Sequence, residues 1–148
     1  MRVRAADAAD VESLLPLVEA YWQFERVQGF DSTRVASQLR RVLSTPSLGN
    51  GWVASEGTTI LGYLLAVYVF SLEHLGLTAE IDEFYVQEGS RRASVGSQLL
   101  FAAEEEFKKR GCTNVSLQLG RENDAAREFY LRKGYCSRDG YELLEKGL

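Results

Sequence analysis

The chain has 148 residues, 45% hydrophobic and 26% charged, the balance of an ordinary globular protein with enough material for one core. A net charge of −4 argues against nucleic acid as a partner, because phosphate neutralisation needs a basic footprint. One histidine (His74) and two cysteines without ligand spacing (Cys112, Cys136) exclude a zinc set, so no metal is expected. The longest apolar stretch, 60–70, is interrupted by Gly62 and is too short to span a membrane, and the first residues lack the apolar run of a secretory signal. A single domain over 1–148, a cytoplasmic address and no membrane partner are the expectations. An acidic surface suits a cationic amine, but charge alone does not assign one.

In chain order, Met1 to Arg4 reads as a short strand, and Asp10 or a near neighbour caps a helix with Val11, Leu14, Leu15, Val18, Tyr21 and Trp22 on one face. Pro16 lies inside that pattern, so a late start or a bend is expected. Val35, Leu39, Val42 and Leu43 mark a second helix, closed by the turn residues of 44–49. Segments 51–55, 60–70 and 79–86 read as an antiparallel meander. Residues 94–110 carry the strongest helical stripe (Val95, Leu99, Leu100, Ala103, Phe107), ended by Gly111. A strand over 114–119 and a helix over 124–133 follow, the latter with Asp124 in its first turn and Gly134 past its end. Tyr135 and Tyr141 flank a closing hairpin expected around Arg138-Asp139-Gly140. Strands flanked by helices make an α/β domain.

Two stretches carry chemistry. Residues 86–96 run from a strand into the turn Arg91-Arg92-Ala93-Ser94-Val95-Gly96 and then a helix. A helix N-terminus offers unpaired N–H groups and a positive dipole end to a phosphate, small residues let a ligand approach the main chain, and the arginines add charge. Farther on, Asn123 and Tyr130 stand seven residues apart, two helical turns, and so share a face. Read without a ligand, the first stretch is an ordinary turn with solvated arginines, Asn123 is an N-cap, and Tyr130 is a core aromatic beside Phe129.

Together these motifs resemble the GCN5-related N-acetyltransferases, the GNAT family, firmly over 82–135 and in element order over almost the whole chain. The resemblance implies a mixed, largely antiparallel central sheet of six to seven strands flanked by four helices, with acetyl-CoA as cosubstrate. It assigns cofactor binding to the turn and helix start (Arg91, Arg92, Ala93, Ser94, Val95, Gly96, Ser97). It also assigns it to the main chain of Phe84, Tyr85 and Val86, and to Asn123 and Ala126. Tyr130 becomes the acid that protonates the leaving thiolate, a sensible step for a phenol of pKa near 10 facing a thiol of pKa near 8.5. Ser94 stands where the family usually carries its first glycine. Serine caps helices well, but is strained if the backbone there takes φ > 0.

An ammonium acceptor must lose a proton, and strand parity puts Glu80 and Asp82 on one face with Phe84, and Glu83 on the other with Tyr85. By resemblance to polyamine-type members, Asp82 is the first choice of base, directly or through water, and Glu80 the second. Read without a substrate, these carboxylates are a solvated strand face. Where members that acetylate protein N-termini carry a glutamate, this chain has Gln118, which cannot act as a base. Tyr21, Trp22, Phe30, Leu72 and Leu75 come from segments that often line the acceptor side, and His74 is read as a loop bystander. The activity implied is acetyl transfer to a primary amine of a small molecule by direct attack in a ternary complex, since neither cysteine falls in the site motifs. Alternatives are a protein lysine or N-terminal acetyltransferase, a non-catalytic CoA-binding regulator, or a module sharing only the fold. The resemblance also admits a homodimer.

Overall fold

A computed structural model describes residues 1–91 and 93–148. The elements run β1 (Arg2–Ala5), α1 (Val11–Phe24), α2 (Ser32–Leu43), β2 (Gly49–Glu56), β3 (Thr59–Ser71), β4 (Gly76–Val86), α3 (Val95–Lys109), β5 (Val115–Leu117) and α4 (Asp124–Arg132). Two compact units, Met1–Gln118 and Leu119–Leu148, divide the chain.

In the first unit the strands lie in the order β1-β2-β3-β4-β5, antiparallel through β4, with β5 joining parallel. A parallel partner needs a crossover, and α3 is that crossover. Alternation along the central strands divides the core between the two faces. Val53, Tyr63 and Leu65 pack with Val11, Leu14 and Val18 of α1 and Ala36, Leu39 and Val42 of α2. On the other face Trp52 meets Phe107 of α3 edge-to-face at 5.7 Å, and the predicted α3 stripe is buried throughout.

Local chemistry explains the helix boundaries. Asp7 and Asp10 form a reciprocal capping box: Asp7 accepts from the Ala9 N–H at 2.8 Å, and Asp10 from the Asp7 N–H at 2.9 Å. Asp7 thus caps the 3-10 turn Ala8–Asp10, while Asp10, at the cap position of α1, makes no cap bond to that helix and turns its carboxylate to Arg4 at 2.7 Å. α1 starts directly after this turn and continues through Pro16, which is exposed. Asp31 caps α2 by accepting from the Arg34 N–H. Gly111, at φ +77°, ends α3 as expected.

Two expectations are corrected. The sheet has five strands among the described residues, not six to seven, and the closing hairpin around Gly140 does not form. After α4 the chain holds turns at Lys133–Gly134 and Asp139–Gly140 and no strand, with Tyr141, Leu143 and Leu144 exposed. A lone two-stranded hairpin is marginal in water, and alternating residues do not make a strand without a partner edge.

Candidate active site

The candidate site is set by the register of β4 with β3. Leu65 pairs with Glu83 and Ala66 with Ile81, so Asp82 is an extra residue with no partner on β3. Such a bulge bends the strand and re-aims a side chain. Strict parity had separated Asp82 from Glu83; the bulge breaks that parity, and both carboxylates line one cleft. Glu80 keeps its place opposite Val67 and is not among the cleft residues.

The cleft has a volume of about 650 Å³ and lies between α1, α2 and the β3–β4 face. Glu83 is held from both sides: Trp22 Nε1 donates to Oε2 at 2.7 Å and Tyr63 Oη donates to Oε1 at 2.8 Å. Burial pushes the Glu83 carboxyl above its ordinary value, and the two hydrogen bonds pull it part of the way back. Burial, reinforced by the Glu83 charge, pushes the Tyr63 phenol far up, so it stays a neutral donor. Asp82 differs. Among the described residues it makes no side-chain hydrogen bond or ion pair, and its side chain reaches solvent. The surrounding walls still remove part of its hydration, and that desolvation raises its carboxyl. Trp22 was anticipated on the acceptor side; Glu83 as the anchored carboxylate was not. Its partners lie 61 and 20 residues away in sequence, and no local pattern announces such a pairing.

Beyond Ile81 the outer edge of β4 loses its ladder, because β5 pairs only Val115–Leu117 with Ala79–Ile81. Past Ile81 no β5 residue pairs with β4, and the Val86 carbonyl there accepts from Arg91 Nε. Close by in sequence, α3 begins at Val95, and the amides of Val95, Gly96 and Ser97 precede the first intrahelical bond, from the Gln98 N–H to the Ser94 carbonyl at 3.0 Å. Ser94 takes φ +62° and ψ 4° and makes no side-chain cap bond; its Oγ accepts from Gln98 Nε2 at 3.0 Å instead. The strained alternative is thus the one realised. Ala93 is exposed, and the Val95 side chain is buried, so Val95 has only main chain to offer a ligand. Arg91 folds back: Nε donates to the Val86 carbonyl at 2.9 Å and the guanidinium sits 5.5 Å from both the Phe24 and Tyr85 rings. Arg92 lies outside the described residues. The amides at the start of α3 are of the kind that can receive a phosphate.

In the second unit, Asn123 caps α4 by accepting from the Ala126 N–H at 3.2 Å. Tyr130 is half-buried, with the Phe129 and Tyr135 rings each 5.4 Å away. Gly134 at φ +91° lets the Tyr135 N–H return to the Tyr130 carbonyl at 3.0 Å, which seats Tyr135 against Tyr130. Gln118, at the end of the first unit, is exposed.

The model of the Acetyltransferase (GNAT) family matches residues 14–135. The chain belongs to the GNAT family. This acetyltransferase is 23% identical over 145 residues to a spermidine N(1)-acetyltransferase of Thermoplasma acidophilum, covering 94% of this chain and 90% of the relative. It is 36% identical over 83 residues to an aminoalkylphosphonate N-acetyltransferase of Salmonella typhimurium, covering 56% of this chain and 54% of that one. Among solved structures, an integron cassette protein from a salt-marsh metagenome matches with a TM-score of 0.85 at 26% identity, over 99% of this chain and 90% of the other. An aminoglycoside acetyltransferase from an uncultured soil metagenomic sample, in complex with sisomicin, shares the fold at a TM-score of 0.80 and 17% identity, over 99% and 95%. The GNAT family uses acetyl-CoA as a cosubstrate. No group of metal-ligating side chains occurs among the described residues, and no helix there is long and apolar enough to cross a membrane.

Proposed function

We propose that this GNAT enzyme transfers acetyl from acetyl-CoA to the primary amine of a small molecule, by direct attack in a ternary complex. The observation that carries the reading is Asp82: a carboxylate free of protein partners among the described residues, on the bulge where β4 parts from β5, at the wall of an acceptor-sized cleft. Acetyl-CoA supplies the activated acyl group and a thiol leaving group. The main chain of Phe84, Tyr85 and Val86 holds the pantetheine arm and polarises the acetyl carbonyl, and the amides at Val95, Gly96 and Ser97 hold the pyrophosphate. The acceptor enters as an ammonium, Asp82 takes its proton directly or through water, and the neutral amine attacks. Glu83, with both oxygens occupied, is a fixed wall rather than a base. Tyr130 returns a proton to the departing thiolate. Cys112 is a poor nucleophile, since desolvation pushes its thiol up, and this favours direct attack.

The test is a melting-temperature titration with acetyl-CoA, CoA and ATP, followed by thiol release against a panel of amines. At about 100 times its dissociation constant the cofactor should stabilise by about 2.7 kcal/mol. A saturable shift with both CoA species but not ATP, and amine-dependent thiol release, is the expected result. Tyr130→Phe should lower turnover with little change in cofactor affinity; an unchanged rate removes Tyr130 as the acid.

A further inference from the structure

The same cleft is lined by charges of both signs, carried on different elements. Asp82 and Glu83 stand on β4, and α2 contributes Arg34 and Arg41 to the same lining. The two arginines are seven residues apart, two turns or roughly 10 Å along the helix. None of the ion pairs among the described residues uses either one. The contrast with Arg40 is informative, because that neighbour points elsewhere and pairs with Glu12 at 2.7 Å. Arg34 shares its end of the helix with Asp31, whose carboxylate is taken up by the cap, whereas no acidic residue of the cleft neighbours Arg41 along α2. Leu39, Val42, Leu65 and Val67 give the cleft an apolar lining.

Resting on the reading above, we infer that the acceptor is an amine that also carries an anion, a phosphonate, phosphate or carboxylate separated from the amino group by a short alkyl body. The ammonium goes to the Asp82 wall, the alkyl body lies on the aliphatic residues, and the anion meets Arg41, with Arg34 as a second contact. Guanidinium groups suit planar and tetrahedral oxyanions through paired N–H donors. A polycation of the same length places its second charge against those arginines, so the α2 wall selects against polyamines by repulsion as well as for anions by attraction.

The experiment compares aminopropylphosphonate, putrescine, spermidine and butylamine, by calorimetric titration with CoA present and by thiol release from acetyl-CoA. Aminopropylphosphonate should bind at least about tenfold more tightly than putrescine or butylamine, as one charge-assisted contact allows. Arg41→Gln should weaken aminopropylphosphonate about tenfold and leave butylamine unchanged, and Arg40→Gln should leave both unchanged. Putrescine or spermidine binding as tightly as aminopropylphosphonate overturns the inference, as does unchanged affinity in both Arg41→Gln and Arg34→Gln, or no amine binding at all. Selective binding of the anionic amine without thiol release supports this inference and overturns the transferase reading instead.

Discussion

Gly62 tests the link between the end of β4 and cofactor binding. A methyl group at that position would meet the Tyr85 carbonyl oxygen at 2.8 Å, Val86 Cγ2 at 3.1 Å and Val86 Cα at 3.2 Å. Two of these are main-chain atoms in a strand paired to β3, so no change of side-chain rotamer relieves the contact, and the end of β4 must move outward. Overpacking of this kind costs about 1–3 kcal/mol, and the smaller conformational freedom of alanine in the unfolded chain returns about 0.4–1 kcal/mol. From the middle of each range the balance is a loss of about 1.3 kcal/mol, or about 4 °C in melting temperature for a chain of this size. Scanning calorimetry of Gly62→Ala measures it. Gly89→Ala is the control, because a methyl there meets nothing within 4 Å, and it should melt at or slightly above the parent. The displaced atoms belong to Tyr85 and Val86, so the acetyl-CoA-induced shift should also shrink in Gly62→Ala. A variant that melts with the parent and keeps the full cofactor shift refutes the reasoning.

Asp82→Asn should fold normally and lower kcat/KM by about 100-fold or more, the usual scale for a general base, and should remove the acidic limb of the pH–rate profile. That limb should lie above the ordinary aspartate pKa of 3.8, because desolvation raises the Asp82 carboxyl and activity is lost as pH falls through the raised value. At Ser94, the glycine variant should melt above the alanine variant by about 1 kcal/mol, since both lack Oγ and only glycine is at ease at φ +62°; equal melting would contradict that backbone conformation. Asp10 is held below its ordinary pKa by its hydrogen bonds with Arg4, against the cost of burial. Its contribution is therefore present above the unfolded-state pKa and lost as pH falls through the lowered folded value, so Asp10→Asn should melt below the parent at neutral pH, with the gap closing in strong acid. A gap independent of pH would show that the Arg4 pair is not its cause.

Much of this protein is readable along the chain because the signals are local. The α3 stripe, the Gly111 stop, the helical placement of Asn123 and Tyr130 and the start of α3 each depend on neighbours within two helical turns, where periodicity and capping chemistry act directly. Local signals also produced the unrealised hairpin, since alternation over a few residues costs a sequence nothing. Ser94 is an intermediate case: its identity raised the question of a left-handed backbone, and only the path from β4 into α3 answered it.

The sequence by itself determined the order of elements, the helix stops and the family to which the chain belongs, because those rest on residue type and short spacing. Tertiary structure alone decided which carboxylates meet. The unpaired residue in the β3–β4 register carries Asp82 to the side of Glu83, and α1 brings Trp22 across 61 positions to hold Glu83 in place. It likewise brought two arginines of α2 into the same cleft as those acids. Strand register and helix docking are collective outcomes of packing the whole core, so no window of sequence contains them.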